Sequence, residues 1–250
     1  MSKYRILNYL AAAFFSSLLL PVIGVAGPTH WGYEGQFGPL NWDKADPSYF
    51  MCKSGKNQSP IDVVPAYDVK LPPLELNSTM KGDTFTNNGH TAVVHFPAGN
   101  TLMIGDEKFN LLQLHFHAPG ENHLNGKGFP MEAHFVHKDS HGNLLVLALF
   151  FVEGKANPNL GKLWQALPKK EGETNKLSTS ITPDALLPSV REYAYFNGSL
   201  TTPPCSEGVR WLVLEQPVTA SKEQIAAFAK VMGHFNNRPL QPVNARPILK

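Results

Sequence analysis

Two short stretches of the chain carry histidines at the spacing of a β-strand. His115 and His117 are separated by one residue, and His134 occurs in a second apolar stretch. Side chains alternate between the two faces of a strand, so His115 and His117 project from the same face. If the two strands are neighbours in a sheet, the three imidazoles converge on one point. Three neutral nitrogen ligands suit a tetrahedral Zn²⁺ ion whose fourth position stays open for water, as in catalytic zinc sites.

A long polar residue accompanies the histidines on each predicted strand. Gln113 shares the face of His115, and Glu132 shares the face of His134. Metal-ligating histidines usually donate their second ring N–H to such a group. A buried polar side chain without a partner is costly, and both residues are explained if they orient the ligands. The alternative is that these histidines are ordinary residues of their strands.

The elements that position these residues predict a mainly β, α+β domain. Alternating or apolar runs bounded by turn residues predict strands at 91–96, 101–104, 110–118, 131–137, 144–151 and 209–214. The run 144–151 is apolar on both faces, so we expect it in the middle of a sheet that is covered on both sides. Short helices are predicted at 158–167 and at 225–232, the latter after a cap at Ser221. We therefore expect a single domain with a large central sheet and short peripheral helices.

The first residues have the composition of a secretory signal peptide. Lys3 and Arg5 precede an uncharged apolar stretch, which ends in small residues at positions 24–26. We expect cleavage after Ala26, so that residues 1–26 are removed and the mature protein is periplasmic or secreted from a bacterium. The alternative is an uncleaved membrane anchor, because the apolar run approaches the length that spans a bilayer.

The mature chain, residues 27–250, is predicted to be nearly neutral. The full chain has 22 Lys and Arg against 20 Asp and Glu, and removal of Lys3 and Arg5 leaves equal numbers. This balance argues against a basic nucleic-acid-binding surface, so no nucleic-acid partner is expected. The two cysteines, Cys52 and Cys205, both follow the leader. In an exported chain, so small and even a number indicates one disulfide, with two free buried thiols as the alternative.

Several motifs together resemble those of the α-class carbonic anhydrases, particularly their exported bacterial members. They follow the family's order and comprise GKNQSPID at 55–62, NNGH at 87–90, QLHFH at 113–117, EAHFVH at 132–137, GSLTTPPC at 198–205 and NRP at 237–239. The resemblance implies a twisted, mostly antiparallel sheet of about ten strands, a Zn²⁺ cofactor and reversible hydration of carbon dioxide to bicarbonate and a proton. The implied nucleophile is zinc-bound hydroxide, because zinc acidifies its bound water, and carbonic anhydrases are the standard example of this effect.

The resemblance also implies a role for individual residues of this chain. The matched zinc ligands are His115, His117 and His134, and the matched proton shuttle is His90. Thr201 and Glu121 match the pair that orients the attacking hydroxide, for which we expect Glu121 to be ionised and to accept the threonine proton. The remaining matches are the substrate pocket (Val136, Val146, Leu200, Thr202 and Trp211), the proton-path waters (Tyr33 and Asn88) and the disulfide of Cys52 with Cys205.

The match departs from the family at Asn122, where many members have a histidine, so catalysis should not depend on that position. His90 follows an Asn-Asn-Gly turn, and we expect it to be exposed and mobile. His30 could assist proton exit near the rim. The other histidines, His95, His123, His137, His141 and His234, are assigned to surface or structural duties.

Other functions remain open from the sequence. One is a catalytically inactive binding module on the same fold, although such relatives typically lose a zinc histidine and all three are present here. The other is a zinc-dependent esterase, although no extra acid or extended groove is visible. The resemblance further implies carbon dioxide, bicarbonate and a proton-accepting buffer as partners, inhibition by sulfonamides or anions, and no stable membrane anchor after cleavage. A homodimer is left open.

Overall fold

A computed structural model describes residues 30–179 and 181–250, so the predicted signal peptide lies outside the described residues. The strands are β1 (Asp62–Val63), β2 (Leu74–Asn77), β3 (Thr84–Asn87), β4 (Ala92–His95), β5 (Thr101–Ile104), β6 (Glu107–His117), β7 (His123–Leu124), β8 (Met131–Lys138), β9 (Leu144–Glu153), β10 (Thr174–Lys176), β11 (Tyr193–Ser199), β12 (Glu207–Leu214) and β13 (Val218–Ala220). The α-helices are α1 (Trp42–Ala45), α2 (Met51–Ser54), α3 (Pro158–Trp164) and α4 (Lys222–Met232). Short 3₁₀ helices occupy Gly35–Phe37, Pro39–Asn41, Pro47–Tyr49 and Pro183–Leu186.

One large sheet dominates the described residues. It has eleven strands, of which eight follow the order β10-β3-β4-β6-β8-β9-β12-β11, while β5 pairs with β6, β2 with β5 and β13 with β9. Most pairs are antiparallel, but β9 runs parallel to β12 and to β13. Two further strands, β1 and β7, form a small parallel pair. The predicted fold class, a single domain built on a large, mostly antiparallel sheet with few short helices, is therefore confirmed.

Strand β9 lies between β8 and β12, in the middle of the sheet as predicted. Its residues 145–151 are all buried. Alternate side chains enter two different cores, because Leu147 belongs to the cluster on one face and Val146 to the cluster on the other. The sheet is covered on both sides, so a strand here must be apolar at every position. This explains the unbroken apolar run in the sequence.

Helix α4 begins and ends at clear sequence signals. The Ser221 side chain accepts a hydrogen bond from the backbone of Gln224, whose side chain binds back to the Ser221 N–H, so the predicted cap is a capping box. The helix ends at Gly233, whose positive φ of 72° is a left-handed conformation that glycine adopts readily. The chain then turns into the segment 233–238, which reaches the histidines of β6.

A disulfide joins Cys52, on α2, to Cys205, in the loop after β11, as predicted. The Cys205 N–H donates a hydrogen bond to the Thr202 carbonyl, so the covalent link lies directly beside the threonine pair of this loop. Among the described residues, no helix combines the length and apolarity that a membrane span requires.

Candidate metal centre

The register of β6 against β8 brings the three predicted histidines together. His115 pairs directly with His134, and His117 pairs with Glu132. One candidate ligand atom from each histidine lies within 4.8 Å of those of the other two, and no other described group of three such residues meets this condition. Strand alternation and one antiparallel pairing are thus sufficient to build the cluster.

Two of the histidines contact the polar side chains that share their strands. Gln113 Oε1 lies 2.8 Å from His115 Nδ1, and Glu132 Oε1 lies 2.8 Å from His134 Nε2. These oxygens accept hydrogen bonds, so the facing ring nitrogens carry the hydrogen and donate it. The opposite nitrogens, Nε2 of His115 and Nδ1 of His134, therefore keep lone pairs that can bind a metal.

The third histidine is held by a backbone group. His117 Nδ1 donates to the carbonyl oxygen of Asn236, 2.6 Å away, in the segment after α4. Its Nε2 is buried and has no hydrogen-bond partner among the described residues. An unpartnered buried nitrogen is costly, and a metal ion would satisfy it. The sequence could not identify Asn236, because a main-chain acceptor leaves no side-chain signature.

The protonation of the cluster suits a cation. Burial is the main cause that lowers the pKa of His115 and His134 well below the ordinary value, and neighbouring histidines lower it further. Burial also lowers the pKa of His117. The rings are therefore neutral at pH 7, which is the state that binds metals. Three neutral imidazoles with one free nitrogen each fit Zn²⁺.

Asn122, where the sequence departs from the matched family, forms hydrogen bonds with Glu132. Its side chain donates to Glu132 Oε1 at 2.7 Å, and its backbone N–H donates to Glu132 Oε2 at 2.8 Å. The backbone N–H of Glu121 donates to the same Oε2 at 2.6 Å. The Asn122 side-chain oxygen accepts from the Ile61 N–H at 3.1 Å, so the amide uses both its ends. Asn122 thus fixes the carboxylate that holds His134.

Glu121 lies against the histidines, with the Thr201 hydroxyl nearby. Its Oε1 accepts a hydrogen bond from the Arg238 N–H at 2.8 Å, and its Oε2 lies 3.6 Å from His117 Nε2. Burial raises the pKa of Glu121 to about 8, against the opposing effects of the Arg238 N–H and the Thr201 hydroxyl. A divalent cation beside His117 would lower this pKa. A bound cation would therefore favour the expected ionised state of Glu121.

An apolar wall stands beside the cluster. Val136 pairs with Val146 across β8 and β9, and Val146 pairs with Trp211 across β9 and β12. The Trp211 ring meets the His134 ring edge-on, with centroids 4.9 Å apart. Leu200 is partly buried and packs against the same core. Four residues predicted for a substrate pocket are thus adjoining.

His90 is partly buried and therefore less exposed than the sequence predicts. Its ring stacks on Trp31, with centroids 3.7 Å apart and planes 5° from parallel. Burial lowers its pKa from the ordinary value. Asn88 closes the turn, because its side-chain oxygen accepts a hydrogen bond from the His90 N–H at 3.0 Å. The His90 carbonyl oxygen accepts a hydrogen bond from the Asn236 side chain at 3.1 Å.

Two further predicted residues are Tyr33 and Thr202. Burial raises the pKa of Tyr33 well above the ordinary value, and the nearby charge of Glu121 raises it further, so the phenol stays neutral. Thr202 is partly buried, next to Thr201.

His137 lies on β8 but outside the cluster. It is buried, and its Nδ1 donates to the Phe135 carbonyl at 2.9 Å. Three positions separate it from His134, so the two side chains point to opposite faces. Burial lowers the pKa of His137 from 6.5 to about 4, against opposing backbone hydrogen bonds at Phe135 and Leu145.

The neutral state of His137 makes stability pH-dependent. Between its unfolded pKa of 6.5 and its folded pKa of about 4, the unfolded chain binds the proton and the folded chain does not. Stability from this group is therefore complete above the unfolded pKa and lost as the pH falls. Between about pH 7 and pH 5, wild type should lose about 2 kcal/mol of unfolding free energy through this group, and His137→Gln should not show this loss. Urea unfolding of both proteins at the two pH values is the measurement. Equal pH dependence in both proteins would contradict this.

Comparisons with known proteins agree on one family. The sequence profile of eukaryotic-type carbonic anhydrase matches residues 37–250. A carbonic anhydrase from Pectobacterium carotovorum is 49% identical over 236 residues, covering 93% of this chain and 97% of that protein. An α-carbonic anhydrase from Thermovibrio ammonificans, solved with sulfanilamide, is similar in structure, with a TM-score of 0.87 and 48% identity over 90% of this chain and 100% of that one. Dioscorin complexed with ascorbate has a TM-score of 0.82 at 29% identity, over 88% of this chain and 97% of that one.

Proposed function

Because the chain belongs to the eukaryotic-type, or α, carbonic anhydrase family, we propose that it catalyses the reversible hydration of carbon dioxide to bicarbonate and a proton. The observation that carries this proposal is the cluster of three neutral imidazoles, each with one nitrogen bonded to an acceptor and the other free. The apolar wall beside the cluster supports a small nonpolar substrate.

The three free ring nitrogens would hold the cofactor. These are Nε2 of His115, Nε2 of His117 and Nδ1 of His134. When bound there, Zn²⁺ supplies Lewis acidity that makes a hydroxide nucleophile available at neutral pH, as is standard for carbonic anhydrases. The acceptors opposite each nitrogen fix the ring orientation and the tautomer.

Thr201 and Glu121 would direct the nucleophile. An ionised Glu121 carboxylate only accepts hydrogen bonds, so the Thr201 hydroxyl must donate to it. The threonine oxygen then has lone pairs left to accept a hydrogen bond from the nucleophile. This arrangement fixes the direction of attack, which is an orientation effect.

The apolar wall would receive carbon dioxide. The molecule is small and has no net dipole, so it needs an apolar surface rather than hydrogen-bond donors. Val136 shares the face of His134 on β8, and Val146 pairs with it on β9. Leu200 and Trp211 would complete the wall, with Thr202 at its polar margin.

Each hydration releases a proton, which His90 would pass to buffer. Tyr33, Asn88 and Thr202 would hold the water molecules between the metal and His90. We expect His90→Ala to lower the turnover number at low buffer concentration on the order of tenfold or more, because general acid–base transfer is lost. Stopped-flow assays with added imidazole should restore the rate, whereas His95→Ala, at an exposed position on β4, should behave as wild type. An unchanged rate in His90→Ala would refute the shuttle.

A binding protein without catalysis is the second candidate, favoured by the likeness to dioscorin in complex with ascorbate. The stopped-flow assay with zinc-loaded protein distinguishes the two, since a binding module would not hydrate carbon dioxide.

The same zinc site would bind sulfonamides or anions, and sulfanilamide is the ligand in the Thermovibrio ammonificans structure. Activity lost on titration with a sulfonamide would support the enzyme.

We further propose that residues 1–26 are a signal peptide and that residues 27–250 form the mature catalytic domain, exported to the periplasm or beyond. The disulfide of Cys52 with Cys205 supports an oxidising compartment. Mass spectrometry of the processed chain would test this, because cleavage after Ala26 predicts a mature N-terminus at Gly27.

A further inference from the structure

A cleft of about 300 Å³ beside His90 is lined by several titratable residues, although a single proton shuttle needs only one. Its lining includes the three histidines His30, His90 and His234, together with the carboxylates of Glu34 and Glu171. The sequence assigned His234 only a surface or structural duty. The structure places it in the same cleft as His90.

The two inner histidines rest on neighbouring aromatic rings. His90 stacks on Trp31 at 3.7 Å, and His234 stacks on Tyr33 with centroids 5.7 Å apart. Trp31 and Tyr33 meet edge-on at 5.6 Å, and each also meets the buried ring of Trp42. These three aromatic residues form one packed unit, so the two imidazoles keep a defined mutual position.

Both ring nitrogens of His234 lie near backbone carbonyl oxygens. Its Nδ1 lies 2.9 Å from the Phe235 carbonyl oxygen, and its Nε2 lies 3.4 Å from the Gly89 carbonyl oxygen. Each ring nitrogen therefore has an acceptor within reach, whichever of them bears hydrogen. Gly89 immediately precedes His90, so the contact also connects His234 to the turn of the shuttle.

Glu171 brings a negative charge to the same turn. The Glu171 carboxylate packs closely against Gly89, since a hypothetical Cβ at that glycine would lie 2.7 Å from Glu171 Oε1. The Gly172 N–H donates a hydrogen bond to the Asn87 carbonyl at 2.8 Å, which holds the segment after Glu171 against the turn. The pKa of His90 is lowered first by burial, raised by Glu171, and lowered by His30 and His234. Glu171 therefore opposes part of the effect of burial on the pKa of His90.

Tyr33 lines this cleft, and its pKa is raised by burial and in part by the charge of Glu121, which lies beside the metal cluster. Its ring stacks on the His234 ring, and the negative charge of Glu121 makes its hydroxyl group harder to ionise. A proton path past Tyr33 would therefore have two histidines, His90 and His234, at its outer end. Both histidines line the same cleft, where a buffer molecule can collect the proton.

We propose that His234 is a second proton-accepting residue, which works in parallel with His90 and delivers protons to buffer in the cleft beside Glu171. This inference rests on the proposed function. It predicts that the protein without His90 retains a proton-transfer rate that depends on His234.

The experiment compares zinc-loaded wild type, His90→Ala, His234→Ala and the double variant by stopped-flow hydration at low buffer concentration. We expect the double variant to turn over several-fold more slowly than His90→Ala, and added imidazole to restore both. His234→Gln in the His90→Ala background should be as slow as the double alanine variant, because glutamine can donate a hydrogen bond but cannot carry the proton. His141→Ala in the same background, at an exposed turn, serves as the control and should change nothing.

Two results would overturn the inference. One is a double variant as fast as His90→Ala, and the other is full retention of the rate by glutamine at position 234, which would mark a purely structural contact. Failure of the proposed function gives a different result, since wild type itself would then show no hydration. Failure of the His90 assignment alone would leave His90→Ala as fast as wild type, while His234→Ala and the double variant would both be slow.

Discussion

The His134→Ala protein should bind no stoichiometric zinc and should hydrate carbon dioxide at least about 1000-fold more slowly than wild type. The substitution removes one of the three free nitrogens and leaves the buried Glu132 carboxylate without its imidazole partner. Loss of a Lewis acid costs several kcal/mol of transition-state stabilisation, and about 1.4 kcal/mol corresponds to each tenfold change in rate. Metal analysis and stopped-flow hydration on the same sample measure both effects.

A matched pair of variants separates metal loss from unfolding. Gln113→Ala leaves all three ligands but removes the acceptor for His115 Nδ1, so it should weaken zinc binding by about 10- to 100-fold. His141→Ala, at an exposed turn, should retain zinc and rate. A folded His134→Ala protein with wild-type zinc content would contradict the ligand assignment. Unchanged zinc affinity in Gln113→Ala would contradict the role of Gln113 in orienting His115.

The second large effect is expected for Thr201→Ala, which should lower kcat/KM about 100-fold because the nucleophile loses its fixed direction. Zinc content should stay at the wild-type level, since Thr201 is not among the clustered histidines. Thr201→Ser keeps the hydroxyl that acts on Glu121 and should recover most of the rate. Stopped-flow kinetics with metal analysis of each variant provide the measurement.

The serine variant is the control for this prediction. If alanine and serine at position 201 lowered the rate equally, packing rather than the hydroxyl would be responsible. If alanine left kcat/KM unchanged, the orientation role of Thr201 and Glu121 would be wrong.

The metal cluster was accessible from sequence because it depends on local rules. The alternation of side chains determines the faces of β6 and β8, and one antiparallel pairing then sets His115 opposite His134. Gln113 and Glu132 were visible for the same reason. Asn236 was not, because its contribution to His117 is a carbonyl oxygen from a segment far along the chain.

The sequence predicted six of the thirteen described strands. The six predicted segments correspond to β4, β5, β6, β8, β9 and β12, and the two predicted helices correspond to α3 and α4. Among the missed strands, β10 is short and polar, so its sequence has no hydrophobic pattern. Strand β2 alternates leucine with polar residues but is only four residues long and has no fully buried residue. Strand β11 was missed although it is largely buried, and its Asn197-Gly198 pair is typical of a turn.

The surroundings of the shuttle were beyond sequence reasoning for a different reason. The turn before His90 predicts an exposed side chain, but its burial comes from Trp31, in the N-terminal segment. His234 reaches the same cleft from the end of α4. Contacts between segments so distant in the chain are set by the fold as a whole.

Zinc titration of chelator-stripped, folded protein, followed by carbon dioxide hydration, tests the three-histidine site most directly. Activity should be absent in the stripped protein, should rise in proportion to added Zn²⁺, and should stop rising at one equivalent per chain. A stripped protein that hydrates carbon dioxide at the full rate, or a folded protein that takes up no zinc, would contradict the assignment of His115, His117 and His134 as the zinc ligands.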